Sequence, residues 1–584
     1  MQFSTGATYT IKSIFCGDVV TCREKILSED YYDLITDYLF TEEFRESTVP
    51  DYCFTQIDDK YGLVYVRSDE VPAMNAATFG YSLIPKLYGL MQDFNQIPLI
   101  ESNITRAQQP PLSLTGSGVI VAFIDTGIDW EKEEFRDSAG NSRILNIWDQ
   151  TIQTGIPPEG FLYGTEYVRE DINRAIRGEI TIETTDEIGH GSAVASVAAG
   201  SSLGNGLEFL GAAPDADIVV IKLKQAKNYL RDYYLIPDGV PAYAEGDIMN
   251  AVNYCNRLAI SYRKPIVICI GLGTSYGNHT GDLPLPTYLD KIASFRNRSI
   301  VVCTGNEGNA AHHYFGRIVR EEGAVGPISD DVEISVGPEE KGFILELWGT
   351  LPNVYWITLR SPSGEVRQGF RPGFGQSQTY RFIYERTEVT LDTILVEPGS
   401  GEELFLMRFE NPVEGIWTIR VSLVDDAREG SFHMWLPITQ FLSSDTVFLE
   451  PDPYTTITNP GYSTLSLTVG GYDAGNNGLY VNTGRGFAKN GEIKPDIVAP
   501  AVGISTSEGI RNGTSYSAAF AAGSAAQFLQ WAITEGNEPL IRNRELKNYF
   551  IRGAGREMDR TYPNREWGYG SLDIQGVFDV LAGI

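Results

Sequence analysis

Positive charge is scarce in this chain. Its 584 residues carry 46 Lys and Arg against 76 Asp and Glu, a formal net charge of −30. A nucleic-acid partner needs a basic face to neutralise phosphates, so no nucleic-acid role is expected, and an anionic membrane surface would repel the chain. Long apolar runs are missing too: no window is long enough to span a bilayer. Met1–Val20 holds Lys12 and Asp18 and has no apolar stretch followed by a small-residue cleavage site, so no secretory signal is expected and synthesis in the cytoplasm follows. The six cysteines, at 16, 22, 53, 255, 269 and 303, include no CxxC and no paired metal-ligand spacing. Cys269 and Cys303 lie in apolar, strand-like runs where cysteine acts as a small buried hydrophobe, and a reducing compartment is the natural expectation. Histidine is rarer still, with five in all.

What is present describes a globular protein. Hydrophobic residues make up 42%, with 31 Tyr, 27 Phe and 8 Trp, and the length suits two to four domains. Along the first 110 or so residues, 31–40 and 73–91 read as helices and 62–66 as a short strand, a small α+β unit. The segments 92–98 and 108–111 read as an extended linker. From Gly118 to Ile124 a continuous apolar run predicts a strand buried on both faces, ending at Asp125. Further buried strands are predicted at 216–223, 265–270 and 300–303, with a helix over 245–260. This alternation indicates an α/β domain with a mostly parallel sheet.

Four polar residues stand at the ends of such elements. Asp125 follows a strand, where ligand and catalytic groups of open α/β sheets gather, although aspartate is also an ordinary turn residue there. His190 lies between glycines at the head of a small-residue helix; a lone histidine is more often structural than chemical. Asn306 sits in a glycine-containing turn, as a turn former or as a donor aimed at an oxyanion. Ser515 follows Gly513 and Thr514 and opens another small-residue helix, where the positive dipole end favours developing negative charge; helix capping is its plainer reading. Between them, residues 315–445 carry period-2 strands at 343–348, 355–359, 404–409 and 416–421, broken by turns, the pattern of a β-sandwich or jelly roll without a cluster of ligands or nucleophiles.

Taken together, Asp125-Thr126-Gly127, Gly189-His190-Gly191-Ser192, Thr304-Gly305-Asn306 and Gly513-Thr514-Ser515 resemble the four signature segments of the subtilisin-like serine proteases, in the order known for that family. Gly211-Ala212-Ala213-Pro214 and 494–500 resemble its framework segments, and the likeness covers roughly 115–311 and 455–584. The resemblance implies a serine endopeptidase in which Ser515 attacks, His190 moves the proton, Asp125 orients the imidazole and Asn306 helps bind the oxyanion. It makes Gly271, Leu272 and Gly273 the strand that pairs with extended substrate. Ala193 and Ala519 depart from the family's usual histidine and proline, at positions that do not carry the chemistry. Glu134 and the loop 203–209 lie where many relatives hold calcium, but one carboxylate with carbonyls is too little, so neither metal nor cofactor is expected.

With the β insertion and no secretory signal, the chain is similar to the germination-specific, Csp-type proteases of clostridial spores. Ile147-Trp148-Asp149-Gln150-Thr151, residues 305–314 and residues 562–570 carry that likeness. It implies a propeptide over 1–96, a catalytic core over 97–314 and 446–584, and a jelly-roll-like insertion over 315–445 that clamps the core. The propeptide would be removed by the enzyme itself and stay bound. The implied substrate is a precursor of a spore-cortex hydrolase, and the implied location is the spore. A general intracellular subtilase, or a pseudoprotease-like regulatory scaffold, are the alternatives.

Overall fold

A computed structural model describes residues 19–37, 52–91, 104–201, 211–320, 328–370, 376–424 and 428–583. At its centre is a nine-stranded sheet. Its middle runs Leu467–Asp473, Arg298–Cys303, Ile266–Ile270, Ile120–Asp125, Asp217–Lys222 and Ile144–Asp149, all parallel, with Ile497–Pro500 also parallel beside the first of these. Antiparallel strands close both rims, Gly478–Leu479 and Thr165–Val168, so the sheet is mixed and, as expected, mostly parallel.

The apolar runs explain why these strands form. Ile120, Ala122 and Ile124 point into one buried cluster, while Val121 and Phe123 point into the other. Each strand is therefore covered on both faces, and each fully buried Val or Ile contributes about 1.5–3 kcal/mol of transfer free energy. One face carries the helices His190–Ala199 and Thr514–Leu529, whose small side chains let the two pack closely against the sheet and each other. The other carries Glu245–Tyr262 and Pro284–Ala293.

The N-terminal region departs from the helices expected of it. Residues 31–40 do not form a helix: Tyr31–Asp37 is a strand, in a three-stranded antiparallel sheet with Tyr61–Arg67 and Tyr52–Gln56, and residues 38–40 lie outside the described residues. Tyr61–Arg67 contains the short strand expected at 62–66. Within 73–91 only Ala76–Phe79 is helical, and Leu87–Leu90 is a strand. The reason is tertiary. Leu87–Leu90 lies between Leu272–Gly273 and Tyr243–Ala244, antiparallel to both, and satisfies its backbone there. Cys22 and Cys53 are joined by a disulfide, and Cys255, Cys269 and Cys303 are free and buried. Of the linker, residues 92–103 fall outside the described residues, and Ile104–Ala107 is a short helix.

Between Asn306 and Ser515 two antiparallel sheets, of six and five strands, face each other over one apolar cluster that includes Leu345, Leu347, Met407, Phe409, Trp417 and Phe432. The four strands expected from period-2 alternation are all present, as Gly342–Gly349, Tyr355–Arg360, Glu403–Glu410 and Gly415–Leu423. Trp435, the last residue of the strand Glu429–Trp435 in the six-stranded sheet, stacks on His279 of the central unit at 3.9 Å between ring centres. Among the described residues no helix is long and apolar enough to cross a membrane.

Candidate active site

Asp125 ends the strand Ile120–Asp125, His190 begins the helix His190–Ala199, and Ser515 lies in the first turn of Thr514–Leu529. The fold brings these three distant residues together. His190 Nδ1 lies 2.7 Å from Asp125 Oδ1, and His190 Nε2 lies 3.2 Å from Ser515 Oγ. An ionised carboxylate can only accept, so the proton sits on Nδ1 and Nε2 is left as the acceptor facing the hydroxyl. Asp125 is steadied by a second bond, from the Thr126 N–H to the same Oδ1 at 2.7 Å. All three side chains are buried.

Asn306 lies beside them. Its Oδ1 accepts from both the N–H and the hydroxyl of Thr514, at 3.1 Å each. A backbone N–H must meet an oxygen, so this contact fixes which way the amide points. Nδ2 is consequently the free end, buried and without a hydrogen-bond partner among the described residues. An unsatisfied buried donor costs roughly 1–3 kcal/mol unless a ligand or reacting oxygen uses it. Nearby, burial pushes the Cys303 thiol up to about 11, so it adds no negative charge to the site.

The floor of the site is glycine by necessity. A Cβ on Gly271 would stand 3.1 Å from Ser515 Cβ, 3.2 Å from its Oγ and 3.3 Å from His190 Cε1. The Gly271 carbonyl accepts from the Met91 N–H at 3.2 Å and lies 3.0 Å from Ser515 Oγ. Met91 follows the strand Leu87–Leu90, and its own carbonyl oxygen lies 2.6 Å from Ser515 Oγ. Of residues 271–273, Leu272–Gly273 is a strand, and the extended segment it pairs with is Leu87–Leu90 of this chain.

Several residues at the site escape sequence reading. Tyr243–Ala244 forms the far wall of the cleft and carries no motif. Gln440, in the turn after the six-stranded sheet, donates its amide N–H to the Leu90 carbonyl. Glu307 holds that turn by accepting from Thr439 N and Oγ1, the latter at 3.0 Å. Its position next to Asn306 was the one available signal. As for calcium, Glu134 Oε2 accepts from Ser196 Oγ at 3.0 Å, burial pushes its carboxyl above the usual range, and the loop 203–209 lies outside the described residues. Among the described residues no group of three or more His, Cys, Asp or Glu is disposed to hold a metal.

The model of the subtilase family (Peptidase_S8) matches residues 116–323 and 450–570, more than half of the chain, and these residues carry the whole constellation. The chain belongs to the subtilase family. It is accordingly a serine peptidase by family, and its substrates are proteins. No curated protein matches it. Among solved structures, the CspB protease of Clostridium perfringens is 27% identical, with a TM-score of 0.70 over 82% of this chain and 96% of that one. The likeness to Csp-type proteases thus holds in three dimensions. Fervidolysin of Fervidobacterium pennivorans, a keratinolytic enzyme related to subtilisin, is 12% identical over 95% of this chain and 62% of its own, at a TM-score of 0.44. The prenylagaramide maturation protease PagA is 13% identical over 83% and 99%, at 0.40. Neither bears on the details of this subtilase.

Proposed function

We propose that this subtilase is a serine endopeptidase that cuts its own chain after Met91 and keeps the N-terminal piece in its cleft. The observation that carries this reading is the Met91 carbonyl held 2.6 Å from Ser515 Oγ while His190 Nε2 faces the same oxygen. In the reaction, Ser515 Oγ bonds to the Met91 carbonyl carbon as His190 Nε2 takes the hydroxyl proton. The carbonyl oxygen becomes an oxyanion, received by Asn306 Nδ2 and the Ser515 N–H at the helix start. Collapse breaks the bond to Gln92, whose amine leaves with the proton from His190. Water, deprotonated by His190, then releases the Met91 carboxylate and restores Ser515. Asp125 holds the imidazole in the required tautomer throughout.

The N-terminal piece acts as a propeptide and, once cut, as a product-like inhibitor. Its anchors favour retention: Asp33 pairs with Lys227 at 2.5 Å, and Glu245 accepts from Lys86 N at 3.1 Å. Residues 315–445 form an inserted jelly-roll-like domain that clamps the core. By likeness to a clostridial Csp-type protease, the enzyme activates a precursor of a spore-cortex hydrolase by limited proteolysis during germination. A fluorophosphonate tests the chemistry after the N-terminal piece has been removed by limited proteolysis. Label on Ser515 that disappears in His190→Ala is expected; a chain so freed that takes no label contradicts the reading.

A further inference from the structure

The chain lying in the cleft is unusual at its third residue. Counting back from the carbonyl at Ser515, Met91 is first, Leu90 second and Gly89 third, and Gly89 lies opposite Gly273. A Cβ on Gly89 would meet Ile438 Cδ1 at 2.6 Å, Gln440 Oε1 at 3.3 Å and Phe441 Cε1 at 3.3 Å. All three belong to the turn that leaves the six-stranded sheet, outside the nine-stranded one. Ile438 and Phe441 are buried, and at 2.6 Å the Ile438 terminal methyl would have to move to admit any side chain. The turn is also fixed at both sides: Phe441 N bonds to the Ile438 carbonyl at 2.8 Å, and Glu307 holds Thr439 from the loop that carries Asn306. Gln440 meanwhile binds the Leu90 carbonyl, pulling the occupant toward this wall.

We propose that the Ile438–Phe441 turn is a specificity element, selecting glycine at the third residue on the amino side of the cut bond. The two-sheet insertion would then do more than brace the core: it reads the substrate. Protein substrates of this enzyme are extended segments with glycine at that position, where a side chain would have to displace a packed isoleucine. This rests on the reading of Met91 as the residue whose carbonyl is attacked.

The test is self-cutting, followed by intact mass, in wild type, Gly89→Val and Gly89→Val/Ile438→Ala, with folding checked by thermal melting. Gly89→Val is expected to slow the cut after Met91 at least about tenfold, as crowding of a packed site requires, and the double variant to regain most of the rate. Gly89→Val cut as fast as wild type, or a folded double variant that stays as slow as Gly89→Val, overturns the proposal. Should the valine variant not fold, Gly89→Ala with and without Ile438→Ala makes the same comparison with the single methyl at issue. An uncut wild type would instead refute self-cutting itself, whereas a cut wild type with an equally cut Gly89 variant refutes the selection alone.

Discussion

The Tyr81 hydroxyl donates to Glu346 Oε1 at 2.6 Å, joining the N-terminal segment to the two-sheet unit across 265 residues of sequence. The other carboxylate oxygen of Glu346 accepts from the Gly277 N–H at 2.9 Å and the Trp348 indole at 3.0 Å. One buried side chain thus ties together three parts of the molecule. Tyr81→Phe is expected to leave Glu346 Oε1 without this donor and so loosen the N-terminal piece by roughly 1–3 kcal/mol, about fivefold to 150-fold in its dissociation constant. Size-exclusion chromatography of the cut protein should show the piece separating from the variant under conditions where wild type keeps it. Equal retention would mean that this bond does not hold the piece.

The oxyanion assignment makes a graded prediction. Asn306→Ala should lower turnover about 10²–10³-fold, the cost of losing one such donor in subtilisin, whereas Ser515→Ala should remove about 10⁶-fold. The time course of self-cutting distinguishes the two. An Asn306→Ala enzyme as fast as wild type would show that Nδ2 is not the donor.

Gly271→Ala is expected to separate activity from stability. The added methyl falls 3.1–3.3 Å from Ser515 and His190 atoms, so these must shift by a few tenths of an ångström. A displacement of about 1 Å costs around a hundredfold in rate, so a shift of a few tenths is expected to cost several-fold. Melting temperature should stay within a few degrees of wild type. Unchanged kinetics would refute the role given to the bare backbone there.

His279, His313 and His433 stack with Trp435 where the two-sheet unit meets the core, and His313 Nε2 lies 2.9 Å from His433 Nδ1. Burial pushes His279 down to about 3 and His313 to about 4, and lowers His433 well below the usual histidine range; the nearby Lys489 adds to each, while Asp452 beside His313 opposes. For a base held neutral in the folded state, the unfolded chain binds more protons below its ordinary pKa. The stability from this stack is therefore complete above about pH 6.5 and is lost as pH falls toward 4, by up to about 1.4 kcal/mol per pH unit for each proton. Thermal melting between pH 7.5 and 4 should show this slope, and His433→Phe should make it shallower. An identical slope in the variant would place the acid sensitivity elsewhere.

The meeting of Asp125, His190 and Ser515 could be anticipated because each is announced locally. An apolar run precedes Asp125, and glycines and small residues surround His190 and Ser515, which is what strand ends and tightly packed helix starts require. The N-terminal segment could not be, because its structure is decided from far away. Tyr31–Asp37 buries four residues in a row, including Asp33, which burial alone would push toward its neutral form and which is tolerated because Lys227 pairs with it. That pattern has no period of two to betray a strand. Leu87–Leu90 likewise takes its conformation from strands some 150 to 190 residues away. Nor does anything in the sequence around Gln440 hint that it meets Leu90; only the docking of the two-sheet unit on the core puts it there.

Intact mass of the purified protein tests the central claim most directly. Wild type should appear as two fragments, the first ending in Met91, and Ser515→Ala as one chain of 584 residues. A wild type that remains whole, or a Ser515→Ala chain cut at the same bond, would contradict the account.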